Sequence, residues 1–151
     1  MYQEIAAKWK EVTSHYLSNP IHATSQCSVD FQPFPAIIGK ESEKRGGNAL
    51  GISGSDPDRL LLELQCSWAA KSDDEVLKGM SREFTAWLNA KVEEWLAEEG
   101  MGDLYLPLLM NDAMADQNVT GMYKDYPELK ALQESIDPMG LFDTRAGGYK
   151  Y

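Results

Sequence analysis

Few side chains in this sequence combine a reactive type with a useful position. His22 is one of two histidines, the other being His15, and a histidine titrates near neutral pH, so it can act as general acid or base. It falls in a stretch, Ile21 to Phe31, where residues alternate in character. Ile21, Ala23, Ser25, Cys27, Val29 and Phe31 take one side, and His22, Thr24, Gln26, Ser28 and Asp30 take the other. Leu60 to Ala69 alternates in the same way, with Leu60, Leu62, Leu64, Cys66 and Trp68 against Glu63, Gln65 and Ser67. Two strands sharing a polar face would gather His22, Thr24, Gln26, Glu63, Gln65 and Ser67. Such a face can donate hydrogen bonds from amides and move a proton at the imidazole.

The second cluster lies near the C-terminus. Asn111 and Gln117 flank Asp112 and Asp116. The amides suit donation to a substrate carbonyl, and the carboxylates, four apart, reach neither the ligand count nor the spacing of a calcium or His-carboxylate metal site. No metal is expected. Trp68, Tyr105, Tyr123 and Tyr149 offer flat apolar area with polar handles for enclosing a hydrophobic ligand. Trp9, Trp87 and Trp95 fall at helical spacing and are assigned to core. There is no Gly-x-Ser-x-Gly, phosphate loop or Cys-His pair to support hydrolase, nucleotide or thiol chemistry. Cys27 and Cys66 show no paired metal-ligand spacing and are expected to be buried thiols. Asn118-Val119-Thr120 is a glycosylation sequon, without weight in a chain read as intracellular.

The elements that must position these residues follow from periodicity. Ile5, Trp9, Val12 and Tyr16 share one face of a helix over residues 2 to 17, which Asn19-Pro20 breaks. The first strand is expected over 21 to 31, ended by Pro33, Pro35 and Gly39, and residues 40 to 58 read as a long connection. Ser72-Asp73-Asp74-Glu75 has capping-box spacing, predicting a long helix whose apolar positions are Val76, Met80, Phe84, Leu88, Val92 and Trp95 and which closes at Gly100. Residues 104 to 110 are apolar and extended, and Tyr126-Pro127 opens a short helix to about Ile136, ended by Asp137-Pro138.

The order helix, strand, strand, helix and tail is α+β: an antiparallel sheet with one polar face packed against a long amphipathic helix. The 151 residues are read as a single domain. Two strands alone form a marginal sheet, so either the tail adds strands or two chains pair as a homodimer. A net charge of −10 with no basic stripe argues against nucleic acid, and the N-terminus lacks signal-peptide features, so a cytoplasmic protein is expected.

Several stretches together resemble the C-terminal, substrate-binding portion of fungal FAD-linked oxidases related to berberine bridge enzyme. These are Gly46-Gly47-Asn48-Ala49-Leu50-Gly51, Trp68 followed by Asp73-Asp74, Tyr105, Asn111-Asp112-Ala113, Gln117, Tyr123, Asp137-Pro138 with Leu141-Phe142, and Gly147-Gly148-Tyr149-Lys150. The resemblance covers residues 20 to 151. It implies an antiparallel sheet whose polar face roofs a substrate site over the flavin ring. The family's flavin-binding half, with its Arg-Gly-Gly-His-like segment, has no counterpart here, and Lys124 replaces the glycine that follows the family's tyrosine. Beginning at Met1, the chain is expected to be a native reduced protein rather than a cloned fragment.

The leading expectation is therefore a cofactor-free enzyme that cyclises, isomerises or dehydrates an apolar secondary metabolite, of pericyclase type, acting by orientation and hydrogen bonding. His22, Gln26, Gln65 and Asn111 would be catalytic. Thr24, Glu63, Ser67, Trp68, Tyr105, Gln117 and Tyr123 would bind the substrate, a small apolar or polycyclic molecule. The alternatives are the substrate domain of an FAD-dependent oxidoreductase and a non-catalytic protein that binds a metabolite or stabilises a partner.

Overall fold

The computed structural model describes residues 1–151, and the chain divides into two compact units. One comprises Met1–Gln32 and Leu61–Leu104, the other Pro33–Leu60 and Tyr105–Tyr151. Seven elements are regular: α1 (Tyr2–Leu17), β1 (Gln26–Phe34), α2 (Ile37–Glu43), β2 (Arg59–Ser67), α3 (Asp74–Glu98), α4 (Tyr126–Ile136) and α5 (Leu141–Arg145). The class is α+β, with a two-stranded antiparallel sheet beside a long helix.

In the first unit, α1 and α3 bury Ile5, Trp9, Phe84 and Leu88 against one another. Trp9 meets Phe84 edge-on at 5.0 Å between ring centres. The hairpin covers this cluster with one face, on which Cys27, Val29, Phe31, Leu62, Leu64 and Cys66 pack. Side chains alternate across a strand, so the polar residues between them necessarily face away from the core. Phe84 and Ile5 are fully enclosed, each contributing roughly 1.5–3 kcal/mol by leaving water.

The helix faces differ in detail from the sequence expectation. Thr13, not Val12, completes the buried line of α1, because its hydroxyl donates to the Trp9 carbonyl at 2.8 Å and so enters the core without an unpaired group. On α3 the first buried residue is Leu77, while Val76 is half exposed. The capping box at Ser72 does not form. Ser72 Oγ donates to Asp73 Oδ1, and residues 71–73 make a single 3-10 turn before the helix begins. At the other end, Gly100 adopts φ +69°, and Met101 N–H bonds the Leu96 carbonyl at 2.7 Å, the six-to-one bond of a Schellman closure.

Two further expectations fail for local reasons. The first strand begins at Gln26, not Ile21, because Asn19 accepts a hydrogen bond from Ile21 N–H and Pro20 starts a 3-10 turn through His22. It also runs on through Pro33 to Phe34. A two-stranded sheet leaves each strand one unpaired edge, where proline forfeits no ladder bond. The apolar tail adds no strand: residues 104–109 run without regular structure.

Cys27 and Cys66 are not thiols. They form a disulfide between β1 and β2, closing a 39-residue separation. The reason lies in register, which sets the two cysteines opposite one another on the core face, where separate sequence positions gave no hint of pairing.

The second unit contains α2, α4 and α5. Residues 37–43, expected as part of a loop and its approach, form a short helix whose Gly39 lies against the Ser53 backbone. A Cβ there would fall 2.2 Å from the Ser53 carbonyl oxygen. Ile52, Val119 and Tyr123 are its buried hydrophobic residues. Asp137 accepts bonds from Leu141 N–H and Phe142 N–H, and so caps α5.

Candidate functional site

The outward face of the hairpin carries Gln26, Ser28 and Asp30 from β1, and Glu63, Gln65 and Ser67 from β2. Gln65 Nε2 donates to Glu63 Oε1, and Ser28 Oγ donates to Asp30 Oδ2 at 3.0 Å. At one end a shallow cleft of about 420 Å³ is lined by Leu17, Ser25, Gln26, Cys27, Ser28, Gln65, Cys66 and Ser67. Three residues singled out from sequence, Gln26, Gln65 and Ser67, therefore share one depression. The disulfide-bonded Cys27 and Cys66 form part of its wall, and its polar groups are neutral amides and hydroxyls.

His22 and Thr24 do not belong to that sheet face, since the strand starts after them. His22 instead stacks on Tyr16, with ring centres 3.8 Å apart, and places Nδ1 3.0 Å from Asp73 Oδ2. The Tyr16 hydroxyl reaches the same carboxylate oxygen at 2.7 Å and lies 3.2 Å from Ser25 Oγ. This network fixes the ring through its face and through Nδ1. The Tyr16 hydroxyl, followed by Ser72 and His22, holds the Asp73 carboxyl below the usual carboxylate range, with burial acting in the opposite sense. Burial pushes the Tyr16 phenol up. Sequence reasoning missed Tyr16 and Asp73 as partners of His22. In the sequence Asp73 stands only within the Ser72-to-Glu75 stretch at a helix start, and only the fold brings residues 16, 22, 25 and 73 together. Trp68, just beyond β2, donates its indole N–H to Asp74 Oδ1 at 2.8 Å.

The remaining candidates lie in the second unit, where most are occupied in holding loops. The Tyr105 hydroxyl donates to the Leu50 carbonyl at 2.5 Å and lies 3.2 Å from that of Met122, while Lys124 Nζ sits 4.4 Å above its ring. Burial raises its phenol pKa, and that of Tyr123, whose hydroxyl donates to the Leu108 carbonyl at 3.3 Å. Gln117 accepts from Met114 N–H at 2.7 Å and caps its own loop. Asn111 stands exposed in a 3-10 turn. A second depression, of about 370 Å³, is lined by Gly46, Gly47, Asn48, Ala49, Gly51, Ile52, Asp125 and Leu129.

This chain is similar to fungal proteins named as FAD-linked oxidoreductases or FAD-dependent monooxygenases. It is 27% identical to an uncharacterized FAD-linked oxidoreductase of Arthroderma benhamiae over 155 residues, 99% of this chain and 30% of that protein. It is 30% identical over 122 residues to an FAD-dependent monooxygenase of Aspergillus calidoustus, covering 80% of this chain and 22% of the relative. An FAD-dependent monooxygenase of Fusarium proliferatum is 25% identical over 156 residues, 99% of this chain and 29% of the relative. The chain thus spans under a third of the length of the curated relatives it matches. No family model matches, and no solved structure matches.

These relatives overturn the expectation of cofactor-free chemistry, because each is named for FAD. The residues of this chain nevertheless do not by themselves make a flavin seat. The pyrophosphate of FAD carries two negative charges and needs cations or free N–H groups at a helix start. The cleft on the hairpin presents no charged group, and the glycine-rich depression presents the carboxylate side chain Asp125 at the start of α4.

Proposed function

We propose that this chain is the substrate-facing portion of an FAD-dependent oxidoreductase of the berberine-bridge type, with the flavin held by polypeptide outside these 151 residues. The observation that carries the reading is a mismatch of extents: nearly the whole chain aligns with about a third of a flavoprotein, yet neither depression offers a countercharge for the cofactor. The hairpin's polar face is the substrate side. Gln26 and Gln65 supply amides to a carbonyl or hydroxyl of the ligand, Ser28 and Ser67 add short hydroxyls, and Glu63 orients the Gln65 amide. Such a surface of amides, hydroxyls and the Asp30 and Glu63 carboxylates suits an uncharged fungal secondary metabolite with a few oxygens on an apolar frame, and it repels phosphate esters.

Replacing the matching segment of the Aspergillus calidoustus monooxygenase with this chain tests the reading. The chimera should retain FAD and change its substrate preference, and Gln26→Ala with Gln65→Ala should then raise KM. A folded chimera that loses its flavin would show that this segment holds the cofactor, and the proposal would be wrong. Purified alone and mixed with FAD, the chain should carry no visible flavin absorbance after the free cofactor is removed.

A further inference from the structure

The disulfide and one unused motif point to the same cellular history. Cytosolic glutathione and thioredoxin keep protein thiols reduced, so a structural disulfide implies maturation where thiols are oxidised. Cys27–Cys66 lies on the core face of the hairpin, packed on the Ile5, Trp9, Phe84 and Leu88 cluster.

The independent observation is Asn118-Val119-Thr120, an Asn-x-Thr acceptor with a permissive middle residue. Asn118 is exposed. Val119 and Thr120 are buried beside it. The chain thus turns at this point so that, of the three sequon residues, only the asparagine faces water, with its amide lying over Gly121. Thr120 Oγ1 donates to the Lys150 carbonyl in the folded chain. The hydroxyl that defines the sequon is then unreadable once the C-terminal residues have docked, which requires modification before that docking, as glycosylation during synthesis provides.

We propose that this protein matures in an oxidising, glycosylating compartment and carries an N-linked glycan on Asn118, in place of the cytoplasmic setting expected from its N-terminal residues. The inference does not depend on the flavoenzyme reading. The transfer forms a bond between the Asn118 amide nitrogen and the first sugar, with a lipid pyrophosphate as leaving group. The disulfide forms by loss of two electrons and two protons to the compartment's thiol oxidant.

The test uses full-length protein isolated from its native source under alkylating conditions. Digestion with an N-glycosidase in heavy-oxygen water should leave an aspartate carrying heavy oxygen at position 118, and the Cys27 and Cys66 peptides should be recovered linked until reduced. Unmodified Asn118 would overturn the glycan, and alkylated Cys27 and Cys66 would overturn the compartment. In a secreting host, Asn118→Gln should abolish the glycan-dependent mobility shift while Thr120→Ser retains it. A shift that persists in Asn118→Gln would place the sugar elsewhere and overturn the assignment.

Discussion

In the first unit Phe84 and Ile5 are wholly enclosed among other side chains, and a disulfide ties the strands that cover them. In the second, the ordering contacts run largely from side chain to backbone. Tyr105, Tyr123 and Tyr149 each give a hydroxyl to a carbonyl, and Asn48 bonds both the N–H and the C=O of Ile52. Regular elements satisfy their own backbone and can devote side chains to a core, whereas long irregular segments must satisfy each backbone group individually. Tyrosine serves the second purpose well, since one ring buries apolar area while its hydroxyl reaches a carbonyl.

The contrast breaks most visibly with Phe84→Ala, which should cost about 3–5 kcal/mol, read as a fall in the denaturant midpoint. Val119→Ala in the second unit removes less enclosed volume and should cost clearly less. Equal losses would mean that both units rest on side-chain cores. Next in size, replacing both Cys27 and Cys66 with alanine should cost about 2–4 kcal/mol by freeing the unfolded chain across a 39-residue separation. Amide exchange should then rise in α1, β1 and β2 more than in residues 105–151.

Gly39→Ala probes the second unit at its tightest point, where the added methyl meets the Ser53 backbone. A displacement of backbone against backbone should cost about 1–3 kcal/mol and raise proteolytic nicking between residues 44 and 58. Tyr105→Phe removes one hydroxyl shared between the Leu50 and Met122 carbonyls and should cost roughly 1 kcal/mol. If Gly39→Ala is silent while Tyr105→Phe is severe, the polar contacts and not the close approach hold this unit.

The same contrast explains what could be read in advance. The α1 and α3 helices and the two faces of the hairpin follow from periodicity, because packing against one core imposes a repeat on the sequence. The polar set Gln26, Glu63, Gln65 and Ser67 was legible for that reason. The alternation of residues 21–25 misled because Asn19-Pro20 sets a turn through local hydrogen bonding, to which a hydrophobic pattern is blind. Cys27–Cys66 depends on register across the sheet, and the Tyr16, His22, Ser25 and Asp73 network depends on how the ends of α1 and the start of α3 meet. Neither leaves a trace in spacing along the chain. In the second unit, Tyr105, Tyr123 and Tyr149 give their hydroxyls to loop carbonyls, a use that residue type alone does not separate from lining a pocket.

Acid should separate the two units by their carboxylates. Asp73 in the first is held low chiefly by the Tyr16 hydroxyl, and Asp56 in the second chiefly by the Ser53 N–H, with Arg59 at 3.1 Å adding to it. A pKa lower in the folded than in the unfolded state means that the unfolded chain binds the proton first. The stabilisation is therefore complete above the ordinary carboxylate value, near about pH 4, and is lost as pH falls from there through the folded value. Asp73→Asn and Asp56→Asn should each flatten the fall of stability below about pH 4 while lowering stability at neutral pH. Asp73→Asn should also release His22 from its carboxylate, so the His22 ring resonances in the NMR spectrum should shift in that variant and stay put in Asp56→Asn. Unchanged His22 ring resonances in Asp73→Asn would mean that the 3.0 Å contact does not persist in solution.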